Sequence, residues 1–337
     1  MPPSWAIGTR FRLVPPPMGN PPMCYSAQVY EGFKKYVREF GADIDIHQYV
    51  KLYVDRRNAL PIKIPKAMDA NFSDPQTLEE RQIKDMIDEW NAAEEMKWQT
   101  QLFAQTKRLN DAERTLLTKI TKKATEDKRI ATDKISRAKL GIEDINRTEL
   151  KPRDTRIFPQ WYSSILVMEN GRRVLKPMRY QCRLEGMPAT SDFTRDRQLS
   201  GTYNARRDNL ERFWRKQFGY RHGIMVVSTF FENVEVEGKN QVLQFTPKDG
   251  SQMLVACLWS RWTDPAGKEP DLLSYAAITD EPEPEVAAAG HDRTIINIKP
   301  EHLDAWLNPD PLNIQALYDI FDDKQHPYYE HQLEKAA

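Results

Sequence analysis

The sequence predicts an α+β fold: a mixed, largely antiparallel, barrel-like β-sheet core with peripheral helices and a long inserted helical hairpin. Two observations predict it. From Arg156 onward, apolar residues come in short runs separated by turns such as Glu169-Asn-Gly171 and Lys248-Asp-Gly250, the pattern of buried strands. Between residues 76 and 140 there is neither Gly nor Pro, and apolar residues recur at helical spacing, which predicts a long helical insertion.

Taken in chain order, residues 1–22 hold seven prolines with little periodicity and read as a disordered leader or a misassigned start. Residues 23–72 form the first part of the core domain. Tyr30, Phe33, Val37 and Phe40 mark one face of a helix stopped by Gly41. Tyr49, Leu52 and Tyr53 mark a second helix over His47–Arg57. Residues 73–150 are the helical insertion, with a capping box expected at Ser73-Asp-Pro-Gln76 and a second cap at Asn110-Asp-Ala-Glu113. Residues 74–100 carry eight acidic and three basic groups, and residues 101–150 are net basic. Two antiparallel arms would therefore attract each other. The main β-rich part spans 151–310. Its expected strands are Ser164–Met168, Gly223–Phe231, Gln241–Phe245, Met253–Trp259, Tyr275–Thr279 and Thr294–Ile298. Helices are expected near Asp208–Lys216 and Pro300–Leu307, and 311–337 is a C-terminal tail.

Composition excludes several classes of function. The 337 residues carry 49 Lys+Arg against 49 Asp+Glu, so nucleic acid cannot be bound by bulk charge and any basic site is a local patch. Three cysteines, Cys24, Cys182 and Cys257, provide no disulfide framework and fit a reducing, cytoplasmic compartment. No apolar run is long enough to span a membrane. There is no Gly-rich phosphate loop, HExxH or CxxC, so no cofactor and no metal are expected. His326 and His331 read as incidental.

What remains is a set of unusual strings. These are Met23-Cys-Tyr-Ser-Ala-Gln28, Thr202-Tyr-Asn-Ala-Arg206, Phe230-Phe-Glu-Asn-Val234, Cys257-Leu-Trp-Ser-Arg-Trp262, Ser274-Tyr-Ala-Ala-Ile-Thr279 and His291-Asp-Arg293. In this order they resemble the SOS response-associated peptidase family, the abasic-site-processing proteins. The resemblance covers roughly 23–70 and 151–310. It implies that Cys24, once N-terminal, couples to an abasic site in single-stranded DNA, with Asn204, Glu232 and His291 as the other catalytic residues. It further implies DNA contacts from Arg206 and Arg293.

The chemistry suits an N-terminal cysteine. A ring-opened abasic sugar presents an aldehyde. An α-amine has a pKa of about 7.7–8.0 against about 10.4 for lysine, so far more of it is unprotonated at neutral pH. It can form an imine, which the thiol of the same residue closes to a thiazolidine, an intramolecular step. As written, Cys24 follows 23 residues. Either translation begins at Met23, or the leader is removed, which suits a self-processing peptidase, or Cys24 is an ordinary thiol in an unprocessed chain. Asn204 would hold the amine or sugar, Glu232 would act in acid–base steps, and His291 would shuttle protons.

Beyond the site, the basic stretch Arg195–Arg221 interleaves cations with Tyr203, Phe213 and Trp214 and would track phosphates without reading sequence. Arg207, Tyr203 and Trp214 are its DNA-binding candidates beside Arg206. The resemblance also predicts an Arg soon after the cysteine, where this chain has Tyr25 and Ser26. Asp208 replaces an expected Glu. Cys182 and Cys257 read as inert core thiols. The expected partner is single-stranded DNA with abasic sites, bound by a monomer. Two competing readings are a cysteine peptidase using Cys24 and His291 in trans, and an interaction protein whose hairpin is the working part.

Overall fold

The computed structural model describes residues 26–29, 32–236 and 239–333. The described chain opens with β1 (Ser26–Val29), α1 (Phe33–Phe40), β2 (Asp43–Ile44), α2 (Ile46–Arg57) and α3 (Lys66–Ala70). The hairpin follows as α4 (Leu78–Thr118) and α5 (Lys122–Asn146). Then come β3 (Arg156–Ile157), β4 (Tyr162–Glu169), β5 (Arg172–Tyr180), β6 (Asn204–Arg206), β7 (His222–Val236), β8 (Lys239–Pro247), β9 (Met253–Trp262) and β10 (Leu272–Asp280). α6 (Pro284–Ala288), β11 (Thr294–Ile295), α7 (Leu303–Leu307), α8 (Ile314–Asp322) and β12 (Tyr329–Leu333) complete it.

The sheet closes on itself through β4, β5, β10, β9 and β7. Four of the five contacts around this ring are antiparallel, and the closing pair, β5 with β10, is parallel, with Tyr275 opposite Tyr180. The expected α+β, largely antiparallel, barrel-like core is thus present. Its strands are apolar on both faces. On β9, Met253, Val255 and Cys257 enter the barrel cluster, while Leu254, Ala256 and Leu258 enter a second cluster beneath the helices. Such strands read as continuous apolar runs rather than as alternation. The β4–β5 hairpin turns on Asn170 and Gly171, at φ 52° and 74°, the left-handed pair a two-residue turn needs. At Gly223 the strands approach so closely that a Cβ would lie 2.8 Å from Ile165 Cγ2.

The helical insertion is a hairpin, but its caps differ from those expected. α4 starts at Thr77, whose hydroxyl accepts from the Glu80 amide at 3.2 Å while Glu80 accepts from the Gln76 amide. Ser73 instead donates to the Ala70 carbonyl. Asn110–Glu113 lies inside α4, which continues to Thr118. The break is made by Thr121, whose hydroxyl caps α5 through the Ala124 amide. Buried Ala124, Ala131 and Ala138 fall seven residues apart along α5, and the Trp98 ring lies against Gly141, so small residues let the two arms pack closely. Two ion pairs cross the hairpin, Arg108–Asp127 at 2.5 Å and Lys128–Glu113 at 3.0 Å. Neither involves the acidic 74–100 segment. At the base, Ile83, Met86 and Ile87 of α4 are buried in the helix-side core.

Two further expectations are corrected. α1 buries Phe33 and Tyr36, leaving Val37 exposed, and Tyr30 lies outside the described residues. Asp208–Lys216 is not a regular helix. A short 3-10 turn, Arg207–Asn209, is followed by consecutive turns in which the Asn209 carbonyl receives the amides of Arg212, Phe213 and Trp214. Trp214 and Phe218 are drawn into the core, and that packing overrides helical propensity. The second helix and the Pro300–Leu307 region match expectation, the latter as a 3-10 turn leading into α7.

His222, at the start of β7, locks α7 to the barrel. Its Nδ1 donates to the Trp306 carbonyl and its Nε2 accepts from the Gly219 amide, both at 2.9 Å. Burial pushes the imidazole pKa down to about 3. The unfolded chain titrates near 6.5, so below that pH it binds a proton the folded chain refuses. Stability is complete above pH 6.5 and declines toward pH 3 by roughly 1.4 kcal/mol per pH unit from this group. We expect His222→Gln to remove about 2 kcal/mol of the difference in urea stability between pH 7.5 and 5. An unchanged pH difference would show that His222 is not the source.

Candidate functional site

The site is assembled where the second half of β7, the start of β11 and β6 converge. Glu232 on β7 and His291, just ahead of β11, are both wholly buried, and His291 Nε2 lies 3.1 Å from Glu232 Oε2. On its other side, His291 Nδ1 lies 2.9 Å from the Arg293 carbonyl oxygen. The Arg293 amide also approaches Nδ1, at 3.3 Å, so the carbonyl contact calls for a proton on Nδ1 and the amide contact for a lone pair there. The Nε2 face meets the carboxylate at ion-pair distance, outside hydrogen-bond geometry. The pair brings a carboxylate and an imidazole, two groups able to act in acid–base chemistry, together in a water-poor setting.

Asn204 opens β6, which runs parallel to β10 with Asn204 opposite Ala277 and Arg206 opposite Thr279. The Tyr180 hydroxyl donates to Asn204 Oδ1 at 3.4 Å, which orients the amide. Tyr180 is itself held between Tyr275, stacked at 5.3 Å, and Tyr203, edge-on at 5.9 Å. Tyr203 is thus part of the barrel packing. Trp214 is only 2% exposed, so neither ring is presented to a base as the sequence suggested. The exposed aromatics of that stretch are Phe213 and Tyr220.

Arg206 and Arg293 line one cavity of about 560 Å³, together with Arg207, Arg212 and Thr279. Arg206 is forked onto Asp208, with contacts of 3.1 and 2.9 Å, and Asp208 is largely exposed. That partner can be exchanged for an incoming anion. Arg207 is tied more firmly, to Asp280 at 3.0 Å and to Asp322. Burial raises the Asp280 carboxyl, but the hydrogen bonds from Arg207 and the Glu281 backbone, together with the charges of Lys324 and Arg207, outweigh it and hold the group below its usual range. Among the described residues, Thr279 Oγ1 and Arg293 Nε, both buried in residues that border the cavity, have no hydrogen-bond partner, and Arg293 Nε lies 3.6 Å from Asp292.

Cys24 lies outside the described residues. β1, which begins two residues after it, runs antiparallel to β7 with Ser26 opposite Phe231, the neighbour of Glu232. Cys182 and Cys257 are both fully buried; burial pushes the Cys182 thiol up to about 12 and the Cys257 thiol higher still, which leaves them protonated and inert. Among the described residues, no cluster of His, Cys, Asp or Glu could hold a metal ion, and no helix is long and apolar enough to cross a membrane. His326, one of the two histidines set aside, contacts Glu285 at 2.7 Å.

The family model for the SOS response associated peptidase (SRAP) matches residues 114–334, more than half of the chain. The chain belongs to this family. The match begins within α4 and runs through β12, so the SRAP chain is matched over the second arm of its hairpin and its C-terminal elements as well as the barrel. No curated protein matches it. Among solved structures, it is similar to a protein from Bordetella bronchiseptica at 19% identity and a TM-score of 0.45, covering 54% of this chain and 88% of that one. A protein from Bacteroides thetaiotaomicron follows at 14% and 0.44, covering 53% and 77%. A phage-related protein from Bordetella bronchiseptica follows at 14% and 0.40, covering 57% and 86%.

Sequence reasoning missed Thr279 and Arg156 as individual site residues. Thr279 had a signal, as the last residue of an apolar run. Arg156 had none: it is 130 positions from Ser26, yet its Nε donates to Ser26 Oγ at 3.0 Å and its guanidinium lies 3.8 Å over the Phe231 ring.

Proposed function

We propose that this SRAP protein forms a covalent crosslink with abasic sites in single-stranded DNA through Cys24. The observation that carries the reading is the buried Glu232–His291 pair beside the strand that follows Cys24. In the proposed sequence, proton transfer opens the abasic sugar to its aldehyde. The unprotonated α-amine of Cys24 attacks C1′ to give a carbinolamine. Protonation of its hydroxyl releases water and leaves an imine. The thiol adds to the imine carbon, its proton passes to nitrogen, and the thiazolidine is complete with a net loss of one water. Glu232 and His291 supply and accept these protons. Asn204, its oxygen taken by Tyr180, offers its N–H to the sugar or amine. Arg206 and Arg293 hold the flanking phosphates, with the Thr279 hydroxyl as an additional donor. Arg156, at Ser26, takes the place of the arginine expected after the cysteine.

The reaction requires a free amine on Cys24, so any form retaining preceding residues should be inactive. The test is the intact mass of the natively produced chain, before and after incubation with single-stranded DNA bearing one abasic site. A chain starting at Cys24 is expected to gain the DNA mass less one water, in a bond stable to denaturation, and Cys24→Ala should gain nothing. A Cys24-initiated chain that adds no DNA, or a Cys24→Ala variant that still does, would overturn the reading. Cleavage of added peptides by that chain would instead favour a peptidase acting in trans.

A further inference from the structure

We propose that the outer face of α4 pairs with the same face of a second copy of this chain, antiparallel, about a twofold axis near Gln99 and Thr100. A dimer then takes the place of the monomer expected from the sequence. The inner face of α4 is committed to its own chain: Ile83, Met86 and Ile87 enter the helix-side core, and Ala112 is buried nearer the tip of the hairpin. The opposite face carries Leu78, Met96, Phe103 and Leu117, all between 68% and 86% exposed. They are not scattered. At about 3.6 residues per turn, eighteen residues make five full turns, so Leu78, Met96 and Arg114 stand in one line. Asp85 and Phe103, also eighteen apart, stand close beside it, and Leu117 follows Phe103 by two heptads. Single exposed apolar residues are normal on a surface, but a row of them along a 41-residue helix is the form of a helix–helix seam.

Charge selects the occupant of that seam. Residues 78–99 hold seven acidic and three basic groups, and residues 100–123 hold two acidic and six basic. The second arm of the hairpin does not answer this asymmetry, because the two ion pairs that cross it, Arg108–Asp127 and Lys128–Glu113, both lie in the basic half. A second copy laid parallel would set acidic half on acidic half. Laid antiparallel, it sets each acidic half on a basic one. A helix of uniform charge would match only one half of the row.

The row also fixes a register. With the axis between residues 99 and 100, Met96 meets the partner's Phe103 and Asp85 meets the partner's Arg114, and symmetry makes each pairing twice. A thioether against a ring and a carboxylate against a guanidinium are both favourable. Asp85 and Arg114 are exposed, and the contact of Arg114 with exposed Asp111 is a loose 3.6 Å. In the same register the hairpin tip, where Lys119 adjoins exposed Ile120, lies beside the partner's Glu80 and Glu79.

The test is sedimentation equilibrium of the full chain without DNA, over concentrations from micromolar upward, so its outcome is separate from the crosslinking reading. The wild-type protein should approach twice the chain mass. Phe103→Glu sets a charge against the partner's Met96 twice and should weaken the dimer about a hundredfold. Asp85→Lys and Arg114→Glu each turn two attractions into two repulsions and should each weaken it about tenfold. The double variant Asp85→Lys/Arg114→Glu should recover wild-type affinity. The two positions are about 44 Å apart along one helix, so recovery can occur only between antiparallel copies. All three side chains are exposed, so helix content by circular dichroism should be unchanged. A wild-type chain that stays monomeric at every concentration overturns the proposal, as does a dimer indifferent to Phe103→Glu. A double variant no tighter than the single ones overturns the antiparallel register.

Discussion

Glu232→Gln should slow crosslink formation by roughly 10²- to 10⁴-fold, the range for removing a general acid–base group. The substitution is isosteric, so the shape of the site is retained. What changes is the proton economy. Glu232 is wholly buried with His291 Nε2 3.1 Å away, and His291 Nδ1 is turned to the Arg293 backbone, 2.9 Å from its carbonyl and 3.3 Å from its amide. Glutamine can donate to Nε2 or accept from it, but it can neither take up nor release a proton at neutral pH. In the proposed reaction, opening the sugar and expelling water from the carbinolamine both need that transfer. The check is a single-turnover time course with single-stranded DNA carrying one abasic site, alongside affinity for the same strand with an intact base. The rate should fall while affinity holds. A variant that crosslinks at the wild-type rate would falsify a proton-transfer role for Glu232.

The largest expected loss of stability comes from Asp192→Ala, at about 3–5 kcal/mol, the cost of leaving buried charges without their partner. Asp192 is 3% exposed and receives hydrogen bonds from both Arg179 and Arg183. Burial raises its carboxyl, but the bonds from Arg183 and Arg179 outweigh that and hold it below the usual carboxylate range. Its contribution is therefore present above the unfolded carboxylate pKa and lost as pH falls through the lower, folded value.

The same network anchors the loop leading to Asn204. Gln181, fully buried at φ 92°, donates to the Asp192 carbonyl at 2.7 Å and to Ser200. A left-handed backbone at a buried non-glycine residue persists only where its surroundings enforce it. Urea unfolding at pH 7.5 checks the prediction, with Asp192→Asn expected between wild type and alanine. A loss below about 1 kcal/mol would mean that the arginines find other partners.

The elements most legible in the sequence were those whose signal is local. Apolar runs such as Met253–Trp259 became β9, and the Gly- and Pro-free stretch became the hairpin. The elements that escaped depend on partners far along the chain. β6 is three residues long and exists because β10 pairs with it. β12 exists because β8 does. The segment 208–216 looked helical, but a carbonyl shared by three amides and two rings drawn into the core made it a chain of turns.

The candidate site divides in the same way. Glu232, His291 and Asn204 were named from their local strings. Their placement was not written there: Glu232 and His291 are 59 positions apart, with β8, β9, β10 and α6 between them, yet their side chains meet. Burial was also invisible locally. Trp214 and Phe213 are adjacent and chemically alike, but one lies in the core and the other faces solvent.

By itself, the sequence determined the identity of the chemical groups, the class of the fold and the absence of bulk charge, because each is a property of composition or of spacing along one segment. Only the tertiary structure decided which groups meet and which rings face solvent. Those outcomes depend on closure of the barrel by a parallel pair between β5 and β10 and on competition for a shared core, and no local window of the chain contains both sides of such a contact.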